Sequence, residues 1–174
     1  MGDVETARYN AFNEPVSRTD FNGNTTTHTY DGHGNLLSTT NALGQTTTYA
    51  HNPQGELIST TDPLGYTTTV TYDVYGYPAS VTDPLGNTTT YTYDALGHQL
   101  SRTDPEGHTT TFTYDAAGNL LTRTDPLGYV ERWQYDPVGN KIKFVDRRAA
   151  LKHEAGSQRS APSRRLHLMS QAGR

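Results

Sequence analysis

The stretch Tyr93-Asp94-Ala95-Leu96-Gly97-His98-Gln99-Leu100-Ser101-Arg102-Thr103-Asp104-Pro105-Glu106-Gly107-His108-Thr109-Thr110-Thr111-Phe112-Thr113 decides how the rest of the chain is read, because at Tyr114-Asp115 it starts again. Tyr9-Asn10, Tyr30-Asp31, His51-Asn52, Tyr72-Asp73, Tyr93-Asp94, Tyr114-Asp115 and Tyr135-Asp136 stand 21 residues apart without an insertion or deletion. Self-similarity at a fixed period is the signature of a repeat architecture. Four residues after each Tyr slot comes Gly34, Gly55, Gly76, Gly97, Gly118 or Gly139, with Asn13 in the first unit. Ten residues later a second glycine recurs as Gly23, Gly44, Gly65, Gly86, Gly107 and Gly128. Gly2 falls in that same slot, so the chain is expected to begin inside a unit, as a stretch of a longer array would.

Between the glycines each unit reads as two strands. One is of the Asn-Leu-Leu-Ser type (Asn35 to Thr40, Asn119 to Thr124), and the other is Thr-rich and ends in an aromatic (Asn87 to Tyr93, His108 to Tyr114). Thr, Val and Tyr suit a pleated backbone, whereas Pro and Gly are confined to strand ends. Asp83-Pro84-Leu85-Gly86 and its copies place Asp first, Pro second and Gly fourth, the preference of a type I turn. Each unit is therefore a hairpin, and the chain is all-β: tandem 21-residue hairpins forming one wide curved antiparallel sheet.

The odd period constrains the turns. Side chains alternate with period 2, so equivalent residues share a face only if each unit contains one parity break. The two turns then need loops of different parity unless a strand is bulged. A three-residue Asp-Pro-x-Gly loop with Gly at positive φ pairs Asp104 with His108 and sets Leu100 opposite Phe112. A four-residue loop over Asp115 to Gly118 pairs Tyr114 with Asn119 and sets Phe112 opposite Leu121. The expected result is a continuous rung in which Val16, Leu37, Ile58, Ala79, Leu100, Leu121 and Ile142 alternate with His28, Tyr49, Val70, Tyr91, Phe112 and Trp133. The repeat Tyr residues share this face, and Thr and Ser dominate the other.

Covering a large apolar side chain is worth about 1.5–3 kcal/mol, against roughly 0.2–1 kcal/mol for a cross-strand pair, so burial decides stability. Fourteen short strands span roughly 65 Å at about 4.8 Å each, and nothing in the sequence supplies a second layer. The isolated segment is expected to be marginal, with one aromatic face exposed; a cooperative circular dichroism melt at high temperature would contradict this.

Composition narrows the function. Of 174 residues only 32% are apolar and 18% charged, and no apolar run approaches the roughly 20 residues of a membrane helix. Met1 to Asp20 has no basic-then-apolar export signal. The absence of Cys excludes disulfides, thiol nucleophiles and Cys-ligated metals. Residues 1–146 hold 7 Lys plus Arg against 17 Asp plus Glu, a net of −10 that repels nucleic acid.

These units resemble the YD repeat, also called the RHS repeat. The likeness rests on Tyr93-Asp94-Ala95-Leu96-Gly97 through Asp104-Pro105-Glu106-Gly107 and on Tyr114-Asp115-Ala116-Ala117-Gly118-Asn119-Leu120-Leu121 through Asp125-Pro126-Leu127-Gly128, and it covers about residues 2 to 146. It extends to bacterial Rhs proteins, wall-associated proteins, the C components of insecticidal toxin complexes and animal teneurins. The resemblance implies a spiralling sheet that closes into a hollow shell, which in bacterial members encloses a variable C-terminal toxin used in competition. Its implied partners are the remaining repeats of such a shell and the enclosed toxin. Full-length members are secreted, cell-surface or delivered to other cells, and this chain alone assigns no compartment. Bacterial members usually end the shell at Asp-Pro-x-Gly-Leu, an autoproteolytic junction. Here the residue after the turn Gly is Asn24, Gln45, Tyr66, Asn87, His108 or Tyr129, so no cleavage site carries over. The chain is also too short to close a shell and reads as wall from a longer protein or a truncated gene.

The positions that carry the repeat are Tyr30, Asp31, Gly34, Gly44, Tyr72, Asp73, Gly76, Gly86, Tyr93, Asp94, Gly97, Gly107, Tyr114, Asp115, Gly118, Gly128, Tyr135, Asp136 and Gly139. Each Asp is read as an acceptor for the N–H groups of its own turn rather than as an acid catalyst. Asp104 and Asp115 fall at opposite strand ends, a poor geometry for paired acid–base work. The histidines (His28, His33, His51, His98, His108, His153, His167) occupy different slots and show no ligand spacing. No catalytic, metal or cofactor site is expected. Tyr49, Tyr91, Phe112 and Trp133 are the residues that would stack on sugars if the array bound glycans.

After Asp146 the pattern stops. Residues 147–174 carry seven Lys plus Arg against Glu154 alone, a net of +6. This tail reads as disordered, with a short helix near Ala149 to Glu154 as one variant; a basic binding arm and a toxin remnant are alternatives. Loss of the reading frame near Asp146 explains the abrupt change. The domains are thus residues 1–146, the array, and 147–174, the tail. The expected function is a non-catalytic shell segment, with a glycan-binding or adhesive module and a non-functional gene remnant as alternatives.

Overall fold

The computed structural model describes residues 5–146, and all of the regular structure there is β-strand. The strands are β1 (Thr6–Tyr9), β2 (Pro15–Thr19), β3 (Thr25–Tyr30), β4 (Leu36–Thr40), β5 (Thr46–His51), β6 (Leu57–Thr61), β7 (Thr67–Tyr72), β8 (Pro78–Thr82), β9 (Thr88–Tyr93), β10 (Gln99–Thr103), β11 (Thr109–Tyr114), β12 (Leu120–Thr124), β13 (Val130–Tyr135) and β14 (Lys141–Asp146). The four strands whose limits the sequence sets start one residue later than expected and end where expected. The strand order in the sheet is β1 to β14, antiparallel hairpin after hairpin. Gly2 and the tail, including the helix expected near Ala149 to Glu154, lie outside the described residues. The described residues divide into two compact units, on either side of the step from Thr111 to Phe112.

In the first unit the Asp-Pro side follows expectation. The Asp104 amide donates to the His108 carbonyl and the Gly107 amide to the Asp104 carbonyl, each at 3.0 Å, and Gly107 has φ +84°. Ser17 pairs with Thr27, Ser38 with Thr48, Ser59 with Thr69 and Ser80 with Thr90. Carried one residue outward, this register brings Leu37 alongside Tyr49 and Ala79 alongside Tyr91.

The Tyr-Asp side departs from expectation. The Asp31 amide donates to the Asn35 carbonyl at 2.9 Å and the Gly34 amide to the Asp31 carbonyl at 3.3 Å, so this turn is another three-residue loop. The parity break comes from a β-bulge instead. Tyr30 pairs with Leu36 but Thr29 with Ser38, which leaves Leu37 without a partner on β3. Val16, Ile58, Ala79 and Leu100 are skipped in the same way. Tyr49 therefore faces Thr60 rather than Ile58, and Tyr91 faces Arg102 rather than Leu100.

The second unit repeats the correction. Asp115, not Tyr114, closes the loop with Asn119, through amide-to-carbonyl bonds of 2.9 Å (Asp115 to Asn119) and 3.0 Å (Gly118 to Asp115). A 2.6 Å hydroxyl bond between Thr113 and Thr122 shows the register of the other units, which displaces Phe112 from Leu121. Trp133 pairs with Phe144, and Ile142 is skipped. Each aliphatic residue of the expected rung therefore sits at a bulge, and the rung is interrupted once per repeat. A three-residue loop keeps the Asp side chain in reach of its turn amides, and the bulge costs only one ladder position.

No described hydrophobic residue is buried, and Asp125 is the one buried polar residue among them. Along β9 the pattern alternates between half-buried Tyr91 and Tyr93 and exposed Thr90 and Thr92, as expected for one aromatic and one hydroxyl face.

Candidate functional site

The recurring chemistry lies in the turns. Asp31 Oδ1 accepts the amides of His33 (2.8 Å) and Asn35 (2.9 Å), and Oδ2 accepts the Asn35 side-chain amide at 2.8 Å. Asp83 does the same with Leu85 and Asn87, and Asp115 with Ala117 and Asn119. Asn10, Asn41 and Asn52 replace Asp without changing the backbone bonds. The Asn35 side-chain and backbone bonds hold the Asp31 carboxyl at about 2. Asp20, Asp83, Asp115 and Asp136 are lowered by the same pair of bonds from the Asn at the end of their turns. These carboxylates are ionised at neutral pH and spent on their own loops, the reverse of a poised general acid.

The two sets of glycines differ in their surroundings. On the Tyr-Asp side a Cβ at Gly34 would lie 2.5 Å from Glu14 Oε1, at Gly76 2.9 Å from Glu56 Oε1, and at Gly97 2.6 Å from the Tyr77 hydroxyl. Each is the last turn residue of the preceding Tyr-Asp turn, so these turns stack on one another. At Gly44, Gly65, Gly86, Gly107 and Gly128, on the Asp-Pro side, nothing lies within 4 Å.

The repeat tyrosines fasten the bulges. Tyr30 donates its hydroxyl to the Pro15 carbonyl (3.0 Å), Tyr72 to Leu57 (2.8 Å) and Tyr135 to Leu120 (3.0 Å), in each case the residue just before the aliphatic slot. His51 occupies the Tyr slot of the third unit, and its buried Nδ1 has no hydrogen-bond partner. Tyr93 packs against Tyr77 at 5.2 Å between ring centres. The opposite face is laced by hydroxyl pairs such as Thr40 with Thr46 (2.8 Å), Thr82 with Thr88 (2.9 Å) and Thr92 with Ser101 (2.7 Å).

Of the residues expected to stack on sugars, Tyr49, Tyr91, Phe112 and Trp133 are all half-buried. The Trp133 ring is engaged by Phe144 at 5.4 Å and by the Lys141 ammonium at 5.4 Å. Two open grooves lie between successive Tyr-Asp turns. One of about 760 Å³ is lined by Asn52, Glu56, Tyr72 and Tyr75, and another of about 670 Å³ by His33, Asn35, His51 and Gln54. Comparing histidines slot by slot misses one grouping: Asp104, Glu106 and His108 bring one donor atom each to within 4.8 Å of one another.

The RHS repeat family matches residues 9–46, 30–63, 51–87, 78–109, 93–130 and 114–148. This chain belongs to that family. Its RHS repeats give it a structural repeat role. Among solved structures it is similar to a crystal structure of TcdB2-TccC3-Cdc42, with TM-score 0.50 and 15% identity over 83% of this chain and 11% of that one. It is also similar to a TccC3-mutant Photorhabdus luminescens Tc holotoxin pore, with TM-score 0.52 and 19% identity over 76% of this chain and 10% of that one. At these identities the RHS likeness is one of fold, and the chain spans about a tenth of either relative. No curated protein matches.

Proposed function

We propose that this chain is a non-catalytic strip of wall from an RHS-type shell whose full-length form surrounds a C-terminal toxin. The observation that carries the reading is the single layer: no described hydrophobic residue is buried, yet every turn from Asn10 to Asn140 closes with the same two backbone hydrogen bonds. Such a strip gains cover for its aromatic face only from more of the same wall or from what the wall encloses. The family match and the fold shared with TccC3 complexes support this, as does the use of the turn carboxylates within their own loops.

Co-expression with a separately cloned RHS shell fragment tests it. Incorporation of the chain into a hollow particle, seen by size-exclusion chromatography and electron microscopy, is expected. A chain that stays apart and binds a glycan array, with binding lost in Trp133→Ala or Tyr91→Ala, sinks the wall reading in favour of a surface-binding module.

A further inference from the structure

We infer that the turn Asp104-Pro105-Glu106-Gly107-His108 is a binding site for one borderline divalent cation of the zinc class. Asp104 Oδ2 and His108 Nδ1 are 3.1 Å apart, and Asp104, Glu106 and His108 each bring one donor atom to within 4.8 Å of the others. Ligand atoms about 2.1 Å from a tetrahedral zinc stand roughly 3.4 Å apart. Small side-chain rotations therefore suffice to close the three donors on an ion, and water fills what remains. An imidazole with two carboxylates suits zinc or nickel better than calcium or magnesium, which favour all-oxygen shells.

The support for these ligands is already built. Asp104 Oδ1 accepts the amides of Glu106 (3.1 Å) and His108 (2.8 Å), so the carboxylate is held while Oδ2 stays turned to the imidazole. Hydrogen bonds that orient a ligating carboxylate in this way are the usual outer shell of a metal site. Gly107 lies at φ +84°, and a Cβ there would meet nothing within 4 Å. Cation entry displaces the proton shared by Oδ2 and Nδ1, which passes to Nε2 or to the surrounding water as the metal takes its place.

The chain contains its own controls. The turn Asp94-Ala95-Leu96-Gly97-His98 has the same Asp–His contact, at 2.9 Å, but Leu where the second carboxylate would be. The turn Asp83-Pro84-Leu85-Gly86-Asn87 shows that Asn takes the place of His with the fold intact, through a 2.8 Å side-chain bond.

The test is a titration of the full chain with zinc chloride, followed through each histidine's imidazole resonances by NMR. Saturable movement of the His108 signals at one equivalent is expected, weakened at least roughly tenfold in Glu106→Leu and unchanged in His98→Asn. Unmoved His108 signals up to about 1 mM zinc, or a Glu106→Leu titration that overlays the wild type, overturns the site. Circular dichroism of the variants shows whether the fold is retained, and His108→Asn, which copies the Asn87 turn, serves as a second loss-of-site variant by calorimetry.

Discussion

Tyr72 donates its hydroxyl to the Leu57 carbonyl at 2.8 Å, and Leu57 immediately precedes Ile58, the residue that β5 leaves without a partner. A bulge disrupts its ladder locally, and the phenol brings a donor to that place from the next strand over. Tyr30, Tyr72 and Tyr135 thus each act on the preceding repeat, fifteen residues back.

Removing only that oxygen isolates its contribution. Tyr72→Phe is expected to lower stability by about 0.5–1.5 kcal/mol, the usual net value of one hydrogen bond, read as a drop in the urea midpoint. An unchanged midpoint would mean that water serves the Leu57 carbonyl equally well.

The third repeat offers the converse. His51 stands in the Tyr slot, and its Nδ1 is buried without a partner. His51→Tyr is expected to raise the urea midpoint by the equivalent of about 0.5–1.5 kcal/mol, by relieving that atom and supplying a donor to the bulge at Leu37. A lower midpoint would show that the pocket has been shaped to the smaller ring.

Two glycines with nearly the same backbone are expected to respond unequally. Gly97 and Gly86 have φ +87° and +86°, so Ala costs about 1–2 kcal/mol at either from conformation alone. At Gly97 the new methyl also meets the Tyr77 ring at 2.6–2.9 Å, whereas at Gly86 it meets nothing. Gly97→Ala should therefore destabilise more than Gly86→Ala, and Tyr77→Ala should remove the difference in a double-mutant cycle. Equal losses would argue that the Tyr-Asp turns do not press on one another.

Acid should loosen the turns in a defined direction. The Asp31 carboxyl sits at about 2 when folded against a usual 3.8, so the unfolded chain binds the proton more tightly. Its contribution is complete above about pH 4 and is lost as pH falls toward 2. Asp31→Asn keeps the acceptor oxygen, as Asn41 and Asn52 do, and should flatten that part of the profile. Urea midpoints from pH 5 to about 2 give the comparison; a wild type that gains stability on acidification contradicts it.

Period, turn positions and strand limits were legible because Gly, Pro and Asx residues mark them directly, as in Asp83-Pro84-Leu85-Gly86. The bulge was not, because an even loop and an extra strand residue change side-chain parity identically. One clue was present: Asp94 to Gly97 and Asp104 to Gly107 both begin with Asp and end with Gly, which argues for equal loops. Taking the parity break as a four-residue loop set Ile142 where Phe144 faces Trp133. The Asp104, Glu106 and His108 grouping escaped because its members meet within a single turn, not at matching positions of successive repeats.

The bulge also governs how such a gene is free to change length. Each repeat corrects its own parity, through Leu37, Ile58, Ala79 or Leu100, before handing the chain to the next. Unequal recombination that adds or deletes whole 21-residue units therefore leaves every surviving side chain on its original face. A single-codon insertion within a strand turns the remainder of that strand over, its aromatics among the threonines.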